Sequence, residues 1–385
     1  MDRGAPMKSV KAVSFLWIIF QVCLCDDGVT GVTGVTDDYS NEDNSTVDYS
    51  QFEVLCTKGD VRSFKAVFLP AVYSAICVVG LLGNGLVVLT YLYFRRLKTM
   101  TDVYLLNLAL ADVFFLLTLP FWAVSAARAW IFGAFLCKAV YCIYRMSFFS
   151  GMLLLLCISI DRYFAIVQAV QAHRHRHRVV RASKLSCALV WALAFALSTP
   201  ELVYSHTRES DGAVRCFLVT DNVQRFNTGV QVSQMVVGFL VPFLVMFSCY
   251  LVIIRTLLQA RNFERNRAIK VIIAVVVVFV VFQLPYNGVV LARTISAFNT
   301  TASQCEKSKR LDVATDVTYS LACLRCCLNP FLYAFIGVKF RSDLVRLLKD
   351  FGCLSQDRLL QWSTCRLGQR SSVGVETETT TTFSP

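Results

Sequence analysis

The chain has 385 residues, of which 56% are hydrophobic and only 17% charged, with a mean hydropathy of +0.55. A soluble globule of this length does not carry so little charge, so that class is excluded and an integral membrane protein is expected. The net charge is +12, but the basic residues gather in loops beside apolar runs, and no nucleic-acid partner is expected.

The first segment holds Lys8 and Lys11, the apolar run "AVSFLWIIFQVCL", and the small residues Cys23 and Cys25 ahead of Asp26. This is the pattern of a secretory signal peptide over 1–25. An uncleaved anchor is the alternative, disfavoured because the run is shorter than the ~20 residues of a membrane span. Residues 26–65 then form an exterior tail. It begins "GVTGVTGVT" and has eight Asp/Glu and no Lys/Arg between Asp26 and Leu55. Such a tail is expected to stay disordered until a basic partner binds it.

Seven apolar stretches of bilayer length follow, at about 66–92, 103–127, 136–163, 185–204, 226–254, 270–292 and 312–337. Backbone hydrogen bonding in lipid excludes open strands, so all seven are expected to be helices. The fold class is therefore all-α: a seven-transmembrane helix bundle over 66–337. Pro120, Pro200, Pro242, Pro285 and Pro330 fall within or at the ends of spans, where they supply hinges. The basic runs "FRRLK", "QAHRHRHRVVRASK" and "RTLLQARNFERNRAIK" follow the first, third and fifth spans and place those loops in the cytoplasm. His173, His175 and His177 alternate there, but no softer or acidic ligand accompanies them, and no metal is expected.

After the seventh span, "KFRSDLVRLLKDF" sets Phe340, Leu344, Leu347, Leu348 and Phe351 on one helical face. A short amphipathic helix over 338–351 is expected to lie on the lipids of the inner leaflet. Cys353 beyond it is a palmitoylation candidate. The cytoplasmic tail 352–385 offers Ser371, Ser372, Thr377, Thr379, Thr380, Thr381 and Thr382 for phosphorylation, which would build an anionic docking strip. Of sixteen cysteines, only Cys56, Cys137, Cys216 and Cys305 fall in the oxidising exterior once the signal is removed. Two disulfides are expected, with three connectivities open. "NST" at Asn44 and "NTT" at Asn299 are glycan acceptors on that side.

One motif then falls in each span. They are Gly83-Asn84, "LNLALAD" ending at Asp112, "SIDRYFAIV" with Asp161, Arg162 and Tyr163, Trp191, Pro242, Pro285, and "NPFLY" from Asn329 to Tyr333. In this order they resemble the rhodopsin-class G-protein-coupled receptors. "TLPFWA" from Thr118 to Ala123, the acidic tyrosine-bearing tail and the four exterior cysteines resemble, within that class, the chemokine receptors. The likeness covers essentially the whole chain, with "GVTGVTGVT" as an extra.

The resemblance implies pairings Cys137–Cys216 and Cys56–Cys305, and a basic CC chemokine as ligand. It also implies an inhibitory-class heterotrimeric G protein as effector, and arrestin and receptor kinases at the phosphorylated tail. No enzymatic activity and no cofactor is implied. Tyr39 and Tyr49 each follow Asp, as sulfated tyrosines do in this family. Tyr73, Trp122, Tyr144 and Tyr319 match positions lining the family's ligand cavity. Tyr319 stands where many relatives carry Glu, and Asp316 on the same helical face is the expected replacement anchor. At the inner end Asp161 is expected to hold Arg162 at rest, with Tyr250 and Tyr333 stabilising the open state. Gln283 stands where the class usually has Trp, which puts the aromatic toggle in doubt. Arg325, where many relatives have His, shares a helical face with Asn329. It is expected to pair with Asp112, directly or through water, in place of the sodium ion that this carboxylate holds in the wider class. A transporter would instead show related halves, and no internal repeat is present. A scavenging receptor without G-protein signalling is the alternative function.

Overall fold

A polypeptide in hydrocarbon has no water to satisfy its amides, and this chain answers with helices whose backbone bonds are internal. The computed structural model describes residues 56–94, 99–167, 176–210, 212–219, 223–259, 265–298, 305–336 and 338–351. The signal segment, Tyr39, Tyr49, Asn44, His173, His175, Asn299, Cys353, Ser371, Ser372, Thr377 and Thr379 to Thr382 lie outside these residues.

The long helices are α1 (Gly59–Tyr93), α2 (Met100–Ala127), α3 (Gly133–Val167), α4 (Arg176–Leu197), α5, α6 (Arg265–Phe298) and α7 (Cys305–Ile336). A short turn, Thr199–Tyr204, with Pro200 in its first turn, prolongs α4. α5 is built of Val223–Met235, a π-helical turn Val236–Leu240 and Val241–Gln259. Among the described residues, α1 to α6 are each long and apolar enough to cross a membrane. α7 has the length, but Asp312, Asp316, Arg325 and Asn329 interrupt its apolarity.

The helices run beyond the expected spans. α1 starts at Gly59 rather than near 66, and α6 ends at Phe298 rather than near 292. Helix geometry continues through the polar interface, where hydropathy no longer marks it. α2 is closed at its start by a reciprocal capping box between Thr99 and Asp102.

Packing closes the bundle. α1 lies against α2 and α7, α7 against α6, and α3 contacts α2, α4 and α5. Outward-facing side chains such as Leu82, Leu86, Leu89, Leu117, Val277, Val281 and Leu284 are apolar and exposed, the inverse of a soluble surface. The interior holds the small and polar groups: Asn84 donates to Gly80 O and to Cys326 O, both at 3.0 Å, tying α1 to α7. Trp191 Nε1 donates to Asn107 Oδ1 at 3.0 Å, tying α4 to α2. At Gly238, in the π-helical turn, a Cβ would come within 2.5 Å of the Phe148 ring, so a larger residue would require that ring to shift where α5 meets α3.

A feature that hydropathy does not reveal is the antiparallel hairpin of β1 (Ser205–Ser210) and β2 (Ala213–Leu218) between α4 and α5. Gly212 in its turn has φ +70°, a conformation that favours glycine. Beyond α7, α8 (Val338–Asp350) packs against α1 and α7. Leu347 is buried, and Leu344 rests on the cluster that contains Val87 and Tyr91. Phe351, expected on the apolar face, is exposed beside the Tyr93 ring at 6.2 Å.

Candidate functional site

At one end of the bundle two disulfides shape a mouth. Cys56 is joined to Cys305 and Cys137 to Cys216. The second bridge pins β2 to the start of α3, and Trp130 N donates to Val214 O at 2.8 Å, so the hairpin is fastened from the α2–α3 connection as well. Trp130 is itself buried and donates Nε1 to Gly133 O at 2.9 Å.

Beneath lies a cavity of about 310 Å³ lined by Tyr73, Trp122, Tyr144 and Tyr319 together with Leu69, Ser125, Ala126 and Tyr141. The four expected aromatics are therefore brought together from α1, α2, α3 and α7. They meet edge to face: Tyr73 and Tyr319 at 6.3 Å and 82°, Trp122 and Tyr144 at 6.1 Å and 72°. That geometry aligns ring edges with ring faces and stiffens the walls. Trp122 Nε1 is buried without a hydrogen-bond partner among the described residues, a donor at hand for whatever enters.

Asp316 does not stand free as an anchor. Lys65 Nζ of α1 lies 3.1 Å from its Oδ2, so an incoming amine has to compete with a resident one.

The sequence reading missed a buried charge pair beside this cavity. Arg145 Nε contacts Glu201 Oε1 at 2.7 Å, both residues being buried, and Arg145 Nη1 also donates to Gln234 Oε1. Arg145 immediately follows Tyr144 in α3, so this network braces the cavity wall against α4 and α5. An arginine in the apolar middle of the span 136–163, away from the charges near its ends, is the signal that exposes it.

In the middle of the bundle the expected pairing of Asp112 with Arg325 is not a direct one, which leaves the expectation of a pairing through water. Asp112 accepts from Asn329 Nδ2 at 2.6 Å and makes no direct ion pair with Arg325. The guanidinium lies instead against α3 at Gly151, where a Cβ would stand 3.7 Å from Nη2 and 3.9 Å from Nη1. Arg325 is 6% exposed, so it does not reach an interface, and its Nε and Nη1 have no hydrogen-bond partner among the described residues. Two such donors in an apolar interior call for bridging water.

A charge cycle follows from that. Asp112→Asn should strand the guanidinium, at a cost of roughly 3–5 kcal/mol, and cut surface expression sharply. Arg325→Gln in the same chain should recover part of the loss. Additive losses in the double variant, read by an epitope tag, would show that the two groups do not share their charge.

At the opposite end, Arg162 Nη2 sits 3.0 Å from Asp161 Oδ2. Thr101 of α2 donates to the same oxygen at 2.6 Å and accepts from Arg162 Nη2, a third member that the motif alone does not reveal. Tyr250 Oη accepts from Ser159 Oγ at 3.0 Å, one turn of α3 before Arg162. Tyr163 packs in the cluster of Met152 and Ile253. Tyr333 lies in the last turns of α7. Gln283 is buried in α6, and its carbonyl accepts from Asn287 Nδ2 at 2.8 Å.

The chain that carries this site has counterparts of known family. The profile of the 7 transmembrane receptor (rhodopsin family) matches residues 83–333. Human C-C chemokine receptor type 7 is 70% identical over 387 residues, covering all of both chains. The chain belongs to the chemokine receptors of the rhodopsin family. Other chemokine receptors are similar at greater distance. Human C-C chemokine receptor type 9 is 44% identical over 342 residues, 87% of this chain and 92% of that one. The cattle atypical chemokine receptor 4 is 40% identical over 318 residues, 83% of this chain and 89% of that one. A chemokine receptor is a multi-pass membrane protein and a receptor rather than an enzyme.

Proposed function

We propose that the chain is a plasma-membrane receptor, amino terminus outside, for basic CC-class chemokines. It activates an inhibitory-class heterotrimeric G protein and directs lymphocytes and dendritic cells to lymphoid tissue. The observation that carries this reading is the pairing of an aromatic cavity at the disulfide-bonded end with an Arg162 held by Asp161 and Thr101 at the other. Disulfides belong to an oxidising compartment, which supports the cavity end as the exterior one. A ligand end entering between Tyr73, Trp122, Tyr144 and Tyr319 bears on α1, α2, α3 and α7 together. Release of Arg162 then presents a cation to the G protein. Arrestin and receptor kinases act on the tail, and lipids hold α8. The "atypical" relative keeps a chemokine scavenger as the competing function, and the Asp161–Arg162 latch favours signalling.

The test is nucleotide exchange on an inhibitory-class G protein in membranes containing the receptor, with a panel of basic CC chemokines added. Binding without exchange would assign the scavenger. For the tail, Tyr39→Phe with Tyr49→Phe should slow chemokine association, and more so at low salt. Steering by the acidic tail acts across a Debye length of ~10 Å at 0.1 M. An effect equal at all ionic strengths would count against steering.

A further inference from the structure

At the mouth, one carboxylate holds two cations. Asp312, near the start of α7 and largely buried, contacts Lys58 Nζ at 2.7 Å through Oδ2 and Arg293 Nη2 at 3.1 Å through Oδ1. Lys58 Nζ also donates to Ser308 Oγ at 2.8 Å. The two cations are not equivalent. Lys58 is two residues from Cys56, whose disulfide to Cys305 fastens that segment to the first residue of α7. Lys58, Ser308 and Asp312 thus belong to one covalently tied unit. Arg293 comes from α6, and its side chain is 45% exposed.

A buried carboxylate requires a cation, but one is enough. With Lys58 fixed in place, Arg293 can leave without stranding Asp312, and a solvent-facing ion pair is weakly held. The bond between the outer ends of α6 and α7 is therefore the expendable one. It also bears on the cavity, because Tyr286 of α6 packs on Tyr319 of α7 at 5.3 Å, about two turns further in.

We propose that Asp312 is a cation-exchange site at which a Lys or Arg side chain of the ligand takes the place of Arg293, making ligand capture and release of α6 from α7 one event. This rests on the reading of the ligand as a basic chemokine. The exchange swaps one guanidinium or ammonium for another at the same carboxylate, so no additional net charge is buried.

Three substitutions separate this from simple repulsion of a basic ligand. The probe is a basic CC chemokine bound by the unmutated receptor, ligand-free nucleotide exchange is read in parallel, and surface amount is normalised by an epitope tag. Arg293→Gln removes the competitor, and chemokine affinity and basal exchange should both rise about two- to fivefold. Lys58→Gln leaves Asp312 dependent on Arg293, so both should fall by a similar factor although the receptor has lost a positive charge. Asp312→Asn should weaken binding and make Arg293→Gln silent in the double variant. Simple repulsion predicts a rise in affinity for both Arg293→Gln and Lys58→Gln. Equal signs for those two, or additive effects in the double variant, would overturn the proposal. Should Asp312→Asn fail to reach the surface, the opposed signs of the other two still decide. If no basic chemokine binds the unmutated receptor, the ligand class is wrong, and the basal-exchange signs alone judge the latch.

Discussion

Replacing Cys137 with alanine should abolish chemokine binding at the cell surface. The Cys137–Cys216 bridge closes a segment with a sequence separation of 79 residues and is the covalent fastening of the β1–β2 hairpin to α3. On loop entropy alone a bridge over such a length contributes roughly 4–5 kcal/mol. Without it the hairpin keeps, among the described residues, the hydrogen bonds from Trp130 N to Val214 O at 2.8 Å and from Tyr141 Oη to Cys216 O at 3.5 Å. Neither fixes the hairpin over the cavity, and Cys216 is left as a free thiol in an oxidising compartment. The check is equilibrium binding on intact cells with receptor counted by an epitope tag, so that loss of protein is told apart from loss of affinity. Affinity within twofold of the unmutated receptor would refute the role assigned to the bridge.

Arg162→Ala should leave chemokine affinity nearly intact and eliminate nucleotide exchange. The guanidinium belongs to a small polar set, Asp161, Thr101 and Arg162, at the end of α3 opposite the cavity, and none of these residues lines the ligand site. In the proposed mechanism its loss removes the cation offered to the G protein, while Asp161 stays bonded to Thr101. Thr101→Val offers a milder companion. It should raise basal exchange, because the arginine loses one of the partners that hold it. Exchange retained by Arg162→Ala, measured as ligand-stimulated nucleotide uptake on membranes, would show this charge to be dispensable.

How far a sequence discloses such a molecule depends on which contacts decide each feature. The long helices are legible because hydrocarbon imposes length and apolarity on every span. Their ends are not, since helical backbone runs on into polar residues, as at Asp60 and Lys65 of α1, where hydropathy no longer marks it. The hairpin escapes hydropathy altogether, although Asp211-Gly212 is a hairpin turn signal. The π-helical turn of α5, where Gly238 packs against Phe148, is a departure that hydropathy does not mark. In the cavity, Tyr73, Trp122, Tyr144 and Tyr319 are reached through resemblance, whereas Tyr141 and Leu69 join them only by packing. The rule that singles out Arg325 applies equally to Arg145, but its partner Glu201 lies 56 positions away on another helix (201 − 145). Helical spacing puts Arg325 and Asn329 on one face, and the resemblance implies that this face looks toward Asp112. Which of the two donors bonds the carboxylate directly is a matter of tertiary packing that spacing does not show.

The bridge between Cys56 and Cys305 spans a sequence separation of 249 residues and so makes α1 to α6 a closed covalent ring with α7 hanging from its clasp. Mechanical load applied to the amino-terminal tail is therefore divided at Cys56. Part enters α1 at Gly59, and part crosses the sulfurs directly into the top of α7 without passing through any other helix. A chemokine that grips the tail thus has a lever on the helix that carries Tyr319, Arg325 and Asn329. A single proteolytic cut anywhere inside the ring leaves the fragments joined until a reductant opens the clasp.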